Sequence, residues 1–173
     1  MKIRIILSVF LLLSTSLLFA LEKKEFLTLG IEGINLLEID NGAGFLEVKG
    51  VPGLSRIEVE AEIIVRGMNK DKALQFINER LDLRLEKLGN RAQLIGKFKP
   101  TFSLFNWGEK FCNLTVRLPQ EMNLAIDDSS GSIVIENLQG NLKIDDSSGS
   151  IQIDGITGEV EIEDGSGNLK VSK

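Results

Sequence analysis

The last third of the chain alternates apolar and polar positions in blocks of nine residues. From residue 126 to 170 the blocks are IDDSSGSIV, IENLQGNLK, IDDSSGSIQ, IDGITGEVE and IEDGSGNLK. An aliphatic residue opens each block, a glycine takes the sixth position and a second aliphatic residue the eighth. Because IDDSSGSI recurs after two blocks and differs from the block between, the structural unit is predicted to be 18 residues. Period-two alternation predicts two short strands per unit, joined by glycine-containing turns.

Fixed periods of this length indicate repeat architectures, in which one unit cannot bury its own apolar face and must stack on its neighbours. We therefore expect a mainly β fold, a β-solenoid or β-roll-like stack of 18-residue coils with a small α+β insertion. A flat antiparallel meander is the alternative, since four-residue turns also suit hairpins.

A weaker copy of the unit lies near the start of the chain, in LLEIDNGAGFLEVKGVPG at residues 36 to 53. Ile39 corresponds to Ile126, and Gly44 corresponds to Gly131. The N-terminal segment is thus predicted to form one coil of the same kind.

The residues between the two repeat regions follow other patterns. Residues 56 to 66 alternate as one long strand, and Asn69 can cap a short helix. Residues 81 to 98 alternate on both sides of a Gly-Asn turn, which predicts a hairpin. Residues 110 to 118 form a further strand that leads into the repeats.

The N-terminus is typical of an export signal. Lys2 and Arg4 precede an apolar run that ends at Phe19, and Ala20 supplies a small residue before a charged stretch. We expect residues 1–20 to be a secretory signal peptide, with no membrane span after its cleavage and a location in the periplasm, cell envelope or extracellular space. Because Leu18 stands where a small residue is preferred, a retained N-terminal anchor is the alternative.

The remaining residues, 21–173, are predicted to form a single domain. Its insertion covers about residues 56–118, and its regular repeats cover residues 120–173.

Charge is unevenly distributed along the chain, whose formal net charge is −5. The acidic residues are concentrated in the repeats, which argues against nucleic acid as a partner, because such binding needs a basic surface. A cation or a basic partner is compatible with this charge, and so is a purely solvated face.

The chain has few of the residues that usually carry out catalysis. The chain has no histidine, and Cys112 is its single cysteine, placed on the apolar side of a predicted strand. The serines of the repeat therefore lack the usual base that would activate them. We expect a protein that is not an enzyme.

The acidic turns of the repeat are the candidate metal site, with Ca²⁺ as the cation that such oxygen clusters favour. Equivalent residues of stacked coils lie about 4.8 Å apart, so their carboxylates must either separate into water or share a cation. The candidate ligands are Asp127, Asp128, Asp145, Asp146, Glu163 and Asp164. The alternative is that the second acid of each pair accepts hydrogen bonds from amides of its own turn.

One aromatic segment, TFSLFNW, is the candidate partner-binding surface through Phe102, Phe105 and Trp107. The alternative is a loop that covers the open end of the stack with apolar side chains.

The order of these elements resembles the bacterial DUF4097 family, whose members are often called adhesin domains. The likeness spans about residues 26 to 173 and includes NGAGFLEVKGVPG, IEVEAEIIVRG and the repeated G-x-[IVL]-x-[IV]-x-x-[LIV]-x-G units. The resemblance implies an exported β-repeat protein of the cell envelope that acts by interaction or scaffolding. A Ca²⁺-binding β-roll, in which cation binding is coupled to folding, is the alternative function. The sequence identifies neither the envelope or surface partner nor the oligomeric state.

Overall fold

The structure is a computed structural model that describes residues 20–100 and 108–172. Its strands and its helix follow in chain order: β1 Ala20–Gly30, β2 Leu36–Ala43, β3 Leu46–Val51, β4 Arg56–Arg66, α1 Lys70–Arg80, β5 Leu81–Leu88, β6 Arg91–Phe98, β7 Lys110–Pro119, β8 Asn123–Glu136, β9 Leu142–Asp146, β10 Gly149–Asp154, β11 Val160–Asp164 and β12 Gly167–Ser172. The expected mainly β class is confirmed, and α1 is the one helix in the described part of the chain.

The strands belong to one hydrogen-bonded system that has two branches. The A branch contains β1, β4, β7, β3, the second half of β8, β10 and β12. The B branch contains β5, β6, β2, the first half of β8, β9 and β11. The terminal strands β1 and β5 contact each other, so the sheet nearly closes on itself in a barrel-like way.

Parallel pairing at an offset of 18 residues connects the C-terminal strands. Ile133 of β8 pairs with Ile151 of β10, which pairs with Leu169 of β12. In the B branch, β8 pairs with β9 and β9 pairs with β11 at the same offset. An antiparallel meander is therefore wrong for this region, because none of these neighbouring strands is joined as a hairpin.

The N-terminal copy of the unit pairs with the C-terminal repeats in the register that aligning the two copies predicts. Ile39 of β2 pairs with Ile126, and Leu46 of β3 pairs with Ile133. We call one B-branch strand and its A-branch continuation a rung. The strands β2 and β3 thus form the rung next to β8.

The segment between the repeat regions contributes strands to the stack. Its strands β6 and β7 pair in parallel with β2 and β3, so they add a further rung to the stack. The antiparallel neighbours β4 and β5 follow outside it, and α1 contacts both β1 and β5. These elements cover the first end of the stack.

Local predictions in this segment are confirmed. The strand β4 spans Arg56–Arg66 and buries the alternate apolar residues from Ile57 to Val65. The side chain of Asn69 caps α1 by accepting a hydrogen bond from the amide of Lys72 at 2.9 Å. The hairpin of β5 and β6 has the predicted turn between its strands.

One apolar core fills the space enclosed by both branches. Its buried residues come mainly from β2, β3, β4, β6 to β10 and α1, and the half-buried Ile162 of β11 packs against it. Glycines at the corners let successive rungs approach closely. A Cβ on Gly149 would lie 1.7 Å from the carbonyl oxygen of Gly131, and one on Gly131 would lie 1.8 Å from that of Gly44. Glycine is thus required at Gly149 for two reasons. The backbone of the preceding rung leaves no room for a Cβ, and the φ of Gly149 is 156°, a conformation that favours glycine.

Within the described residues no helix has the length and apolar character needed to cross a membrane.

Candidate functional site

The acidic turns of successive rungs form two ladders at the ends of the B-branch strands. The inner ladder contains Asn41, Asp128, Asp146 and Asp164, which pair rung by rung. The outer ladder contains Asp40, Asp127, Asp145 and Glu163, one residue earlier in each strand. Because successive side chains of a strand point to opposite faces, only one of the two ladders can enter the core.

The inner ladder is buried in its first three rungs. Asn41 is 0% exposed, and Asp128 and Asp146 are each 1% exposed. Asp164 in the last rung is exposed, because no described strand covers it. Three adjacent polar side chains are therefore enclosed at the corner between the branches.

Hydrogen bonds satisfy only part of this buried ladder. Asn41 Nδ2 donates to Asp128 Oδ1 at 2.7 Å, and the amide of Ser148 donates to Asp146 Oδ1 at 3.1 Å. The remaining oxygens, Asn41 Oδ1, Asp128 Oδ2 and Asp146 Oδ2, are buried without a hydrogen-bond partner. Buried polar atoms are normally paired, so these three mark the ladder as the chemically unusual part of the core.

Burial makes ionisation of these carboxyls costly. It raises the pKa of Asp128 to about 7; the hydrogen bond from Asn41 opposes this rise, and the negative charges of Asp146 and Asp127 add to it. Burial also raises the pKa of Asp146, against the hydrogen bond from Ser148. Near neutral pH, Asp128 is thus partly protonated.

The outer ladder faces solvent. Asp127, Asp145 and Glu163 are exposed, and Asp40 forms an ion pair with Lys97. Together with Lys143, three of these carboxylates line a shallow groove on the B branch. Exposed charges of this kind interact weakly with one another because water and salt screen them.

The six predicted metal ligands are thus divided between two faces. Within residues 20–100 and 108–172, no three histidine, cysteine or acidic side chains come together in a way that could hold a metal ion. The donors that fit a cation best are the unpartnered oxygens of Asp128 and Asp146, with the amide oxygen of Asn41 as the third oxygen of the ladder.

In two of the three turns the second acid accepts a hydrogen bond from an amide of its own turn, which is the alternative that the sequence left open. The amides of Ser148 and Ser166 donate to Asp146 and Asp164, two residues earlier in each case. Asp128 differs, since it accepts from the side chain of Asn41 instead.

A second unusual surface is the last rung, formed by β11 and β12, which we call the open end. Val160, Leu169 and Val171 are 42%, 51% and 56% exposed there. Their counterparts one rung earlier, Leu142, Ile151 and Ile153, are no more than 2% exposed. The side chains at the open end occupy core positions, but no described element covers them.

Cys112 is a buried structural thiol in β7. Burial, with a smaller contribution from the charge of Glu25, raises its pKa to about 12. The thiolate is the reactive form of cysteine, so this side chain is chemically inert in the folded protein.

Two predictions concern residues outside the described part of the chain. The candidate partner-binding residues Phe102, Phe105 and Trp107 lie between residues 100 and 108, and the predicted signal peptide lies almost wholly before Ala20.

Sequence reasoning missed the role of Asn41. The sequence aligns Asn41 with Asp128. The amide side chain of Asn41 became part of the candidate site only when the structure showed that both residues are buried side by side.

Among known proteins, the chain is similar to a solved structure at low sequence identity. No protein-family model and no curated protein matches the chain. Among solved structures, a protein of Clostridium sporogenes described as a "putative cell adhesion protein" is similar in fold, with a TM-score of 0.50 and 15% sequence identity. The match covers 87% of this chain and 99% of that one. At this identity the likeness concerns the fold alone.

Proposed function

We propose that the protein is an exported, non-enzymatic module of the cell envelope or surface, adhesin-like in action, that works through protein contacts. We further infer that its rungs form a β-solenoid with 18-residue coils of the kind that the resemblance to the DUF4097 family implies. The name of the Clostridium neighbour supports an adhesive role, and the parallel 18-residue register supports the solenoid.

The observation that carries the proposal is the open end. Soluble proteins rarely leave contiguous apolar side chains uncovered, and such patches mark interaction sites. Here the exposed residues Val160, Leu169 and Val171 lie beside strand edges that have no partner among the described elements. A partner can therefore bind through apolar contacts and through added strand pairing.

The test combines location with binding. Cells of the organism that makes the protein are fractionated, and the binding of labelled protein to intact cells is measured. We expect the protein in the envelope or medium and saturable binding that the double variant Leu169→Lys/Val171→Lys loses. Phe26→Lys is the matched control, because Phe26 is 71% exposed on β1, away from the open end. A cytoplasmic location, or equal binding by all three proteins, would refute the proposal.

A second candidate function is cation binding, favoured by the unpartnered buried oxygens of Asp128 and Asp146. A cation between these rungs would replace the proton that Asp128 holds near neutral pH, so its affinity should fall as the pH drops below about 7.

Thermal unfolding with millimolar Ca²⁺, and with Mg²⁺ as the control, tests this candidate. A ligand that binds only the folded state raises the unfolding temperature. We expect a Ca²⁺-specific rise of several degrees that Asp146→Asn abolishes and that Asp145→Asn, in the outer ladder, leaves in place. The absence of any shift in the natural protein would exclude the candidate.

A further inference from the structure

We propose that a groove on the outer face of the A branch binds an extended, uncharged polysaccharide. The groove has a volume of about 400 Å³ and lies where the start of β3 and the end of β4 meet the start of β7 and the corner of β8. We call it the Phe45 groove. This site goes beyond the proposed protein contacts and does not depend on them, because it is built from other residues than the open end.

Apolar side chains form one side of the Phe45 groove. Ile64 of β4 pairs with Phe111 of β7, and both are partly exposed on the face opposite the core. Phe45, just before β3, is 38% exposed. Aromatic side chains offer a flat apolar surface, and the C–H faces of a sugar ring can pack against such a surface while its hydroxyls point away.

Neutral polar groups form the other side of the groove. Ser130 and Ser132 line it at the corner of β8, and Asn113 lines it from β7. The side-chain oxygen of Asn113 accepts a hydrogen bond from the amide of Phe45 at 2.9 Å, and its nitrogen donates to Glu62 at 3.0 Å. Asn113 thus fixes the backbone that carries the Phe45 ring. An apolar surface with a few fixed polar groups is typical of small-molecule sites.

Charge distinguishes the Phe45 groove from other parts of the surface. Grooves elsewhere on both branches each contain at least two carboxylates. Among the described residues that line the Phe45 groove there is no acid, and Arg66, its charged residue, forms an ion pair with Glu109. A basic partner would therefore bind elsewhere, and nucleic acid would need a basic surface. The charge favours a neutral ligand.

Hydroxyl and amide groups continue the groove along the stack. Ser132 pairs with Ser150 of β10, which pairs with Asn168 of β12, and all three are exposed. Neighbouring strands lie about 4.8 Å apart, so these polar groups recur at that spacing. An extended polysaccharide also presents hydroxyls at regular intervals, so one ligand can contact several rungs. The row therefore suits a chain of sugars rather than a single sugar.

The experiment is isothermal titration calorimetry of the exported protein with cellohexaose and with chitohexaose. Both are neutral chains of β-linked hexoses, and the second alone carries N-acetyl groups. We expect at least one of them to bind with a dissociation constant in the micromolar range. Phe45→Ala and Ser132→Lys should each raise this constant about tenfold or more, with an unchanged circular dichroism spectrum as proof of folding. Phe26→Ala is the matched control, because Phe26 is 71% exposed on the A branch outside this groove.

Three outcomes would overturn the proposal. They are no binding of either hexasaccharide at millimolar concentration, equal affinity of the natural protein and Phe45→Ala, and tighter binding of the acidic chain polygalacturonate than of both neutral ones. A protein that binds cells but neither hexasaccharide would refute the groove alone, whereas one that binds a hexasaccharide but no cells would refute the adhesive function alone.

Discussion

At the scale of single residues, Asp128 has the most unusual environment in the described structure. It is buried, its second oxygen is unpartnered, and its pKa is raised to about 7 from an unfolded value near 4. Between these pH values the folded state holds a proton that the unfolded state has released. Stability from this group is thus complete below pH 4 and is lost as the pH rises through 7.

Asp128→Asn should remove this pH dependence. The amide keeps an acceptor for Asn41 and carries no charge, so the variant should be more stable than the natural protein at pH 8 by roughly 1–4 kcal/mol. Denaturant unfolding at pH 5 and pH 8 measures the difference, which should shrink at the lower pH. Asp127→Asn removes the same charge from the exposed outer ladder and should change little. Equal effects of both substitutions would show that burial does not govern the ladder.

At the scale of elements, the corner between the two strands of a rung depends on glycine. A Cβ at Gly149 would overlap the carbonyl oxygen of Gly131 at 1.7 Å, and backbone cannot move aside without breaking the pairing of β8 and β10. Gly149→Ala should therefore destabilise the fold by about 2 kcal/mol or more, as strain in a packed site does.

Thermal and denaturant unfolding measure that cost. Gly30→Ala is the control, because a Cβ there meets nothing within 4 Å and the backbone needs no positive φ. If both variants melt alike, the close approach of neighbouring rungs is not what selects glycine at this corner.

Most elements of this fold were predictable from sequence because their signals are local. Period-two alternation identified β4 and the β5–β6 hairpin, and the 18-residue repeat gave the correct register of β8 to β12. The strand β1 was missed because the charged run from Glu22 to Glu25 interrupts its alternation. The parallel pairing of β6 and β7 with β2 and β3 was missed because it joins segments that share no repeated motif.

The candidate site was less predictable. The recurrence of acidic pairs was visible, but their division into a buried and an exposed ladder depends on which face of the strand enters the core. Alternation from Ile126 and Ile144 puts Asp128 and Asp146 on the inward face, but DDSSG has the composition of an exposed turn. Only the packed rungs show that the strands continue through both aspartates and bury the second one.

At the scale of the whole molecule, the stack should be unequal in stability along its length. The central rungs have neighbours on both sides, whereas β11 and β12 have a neighbour on one side only. In repeat-like architectures stability is approximately a sum of terms for each unit and for contacts between neighbours. The open end should therefore open locally far more often than the centre.

Hydrogen exchange followed by mass spectrometry can measure this gradient. In dilute protein, amides of β11 and β12 should exchange fastest, and those of β2, β3 and β7 should exchange slowest. Uniform protection along the chain would indicate a single cooperative unit without a weak end.

The offset that pairs each rung with the next also limits how a gene for this protein can change in length. Residues 137 to 154 make up one complete 18-residue unit, and Gly155 is the equivalent of Asn137 in the next unit. Removing residues 137 to 154 would therefore put Gly155 in the position of Asn137 and would leave every later residue in its own branch. Removing only nine residues would move the Asp-Asp ladder out of its corner and into the wrong sheet. Duplications and losses that survive selection in such a gene should therefore come in steps of one complete coil, and related chains should differ in height while keeping the same cross-section.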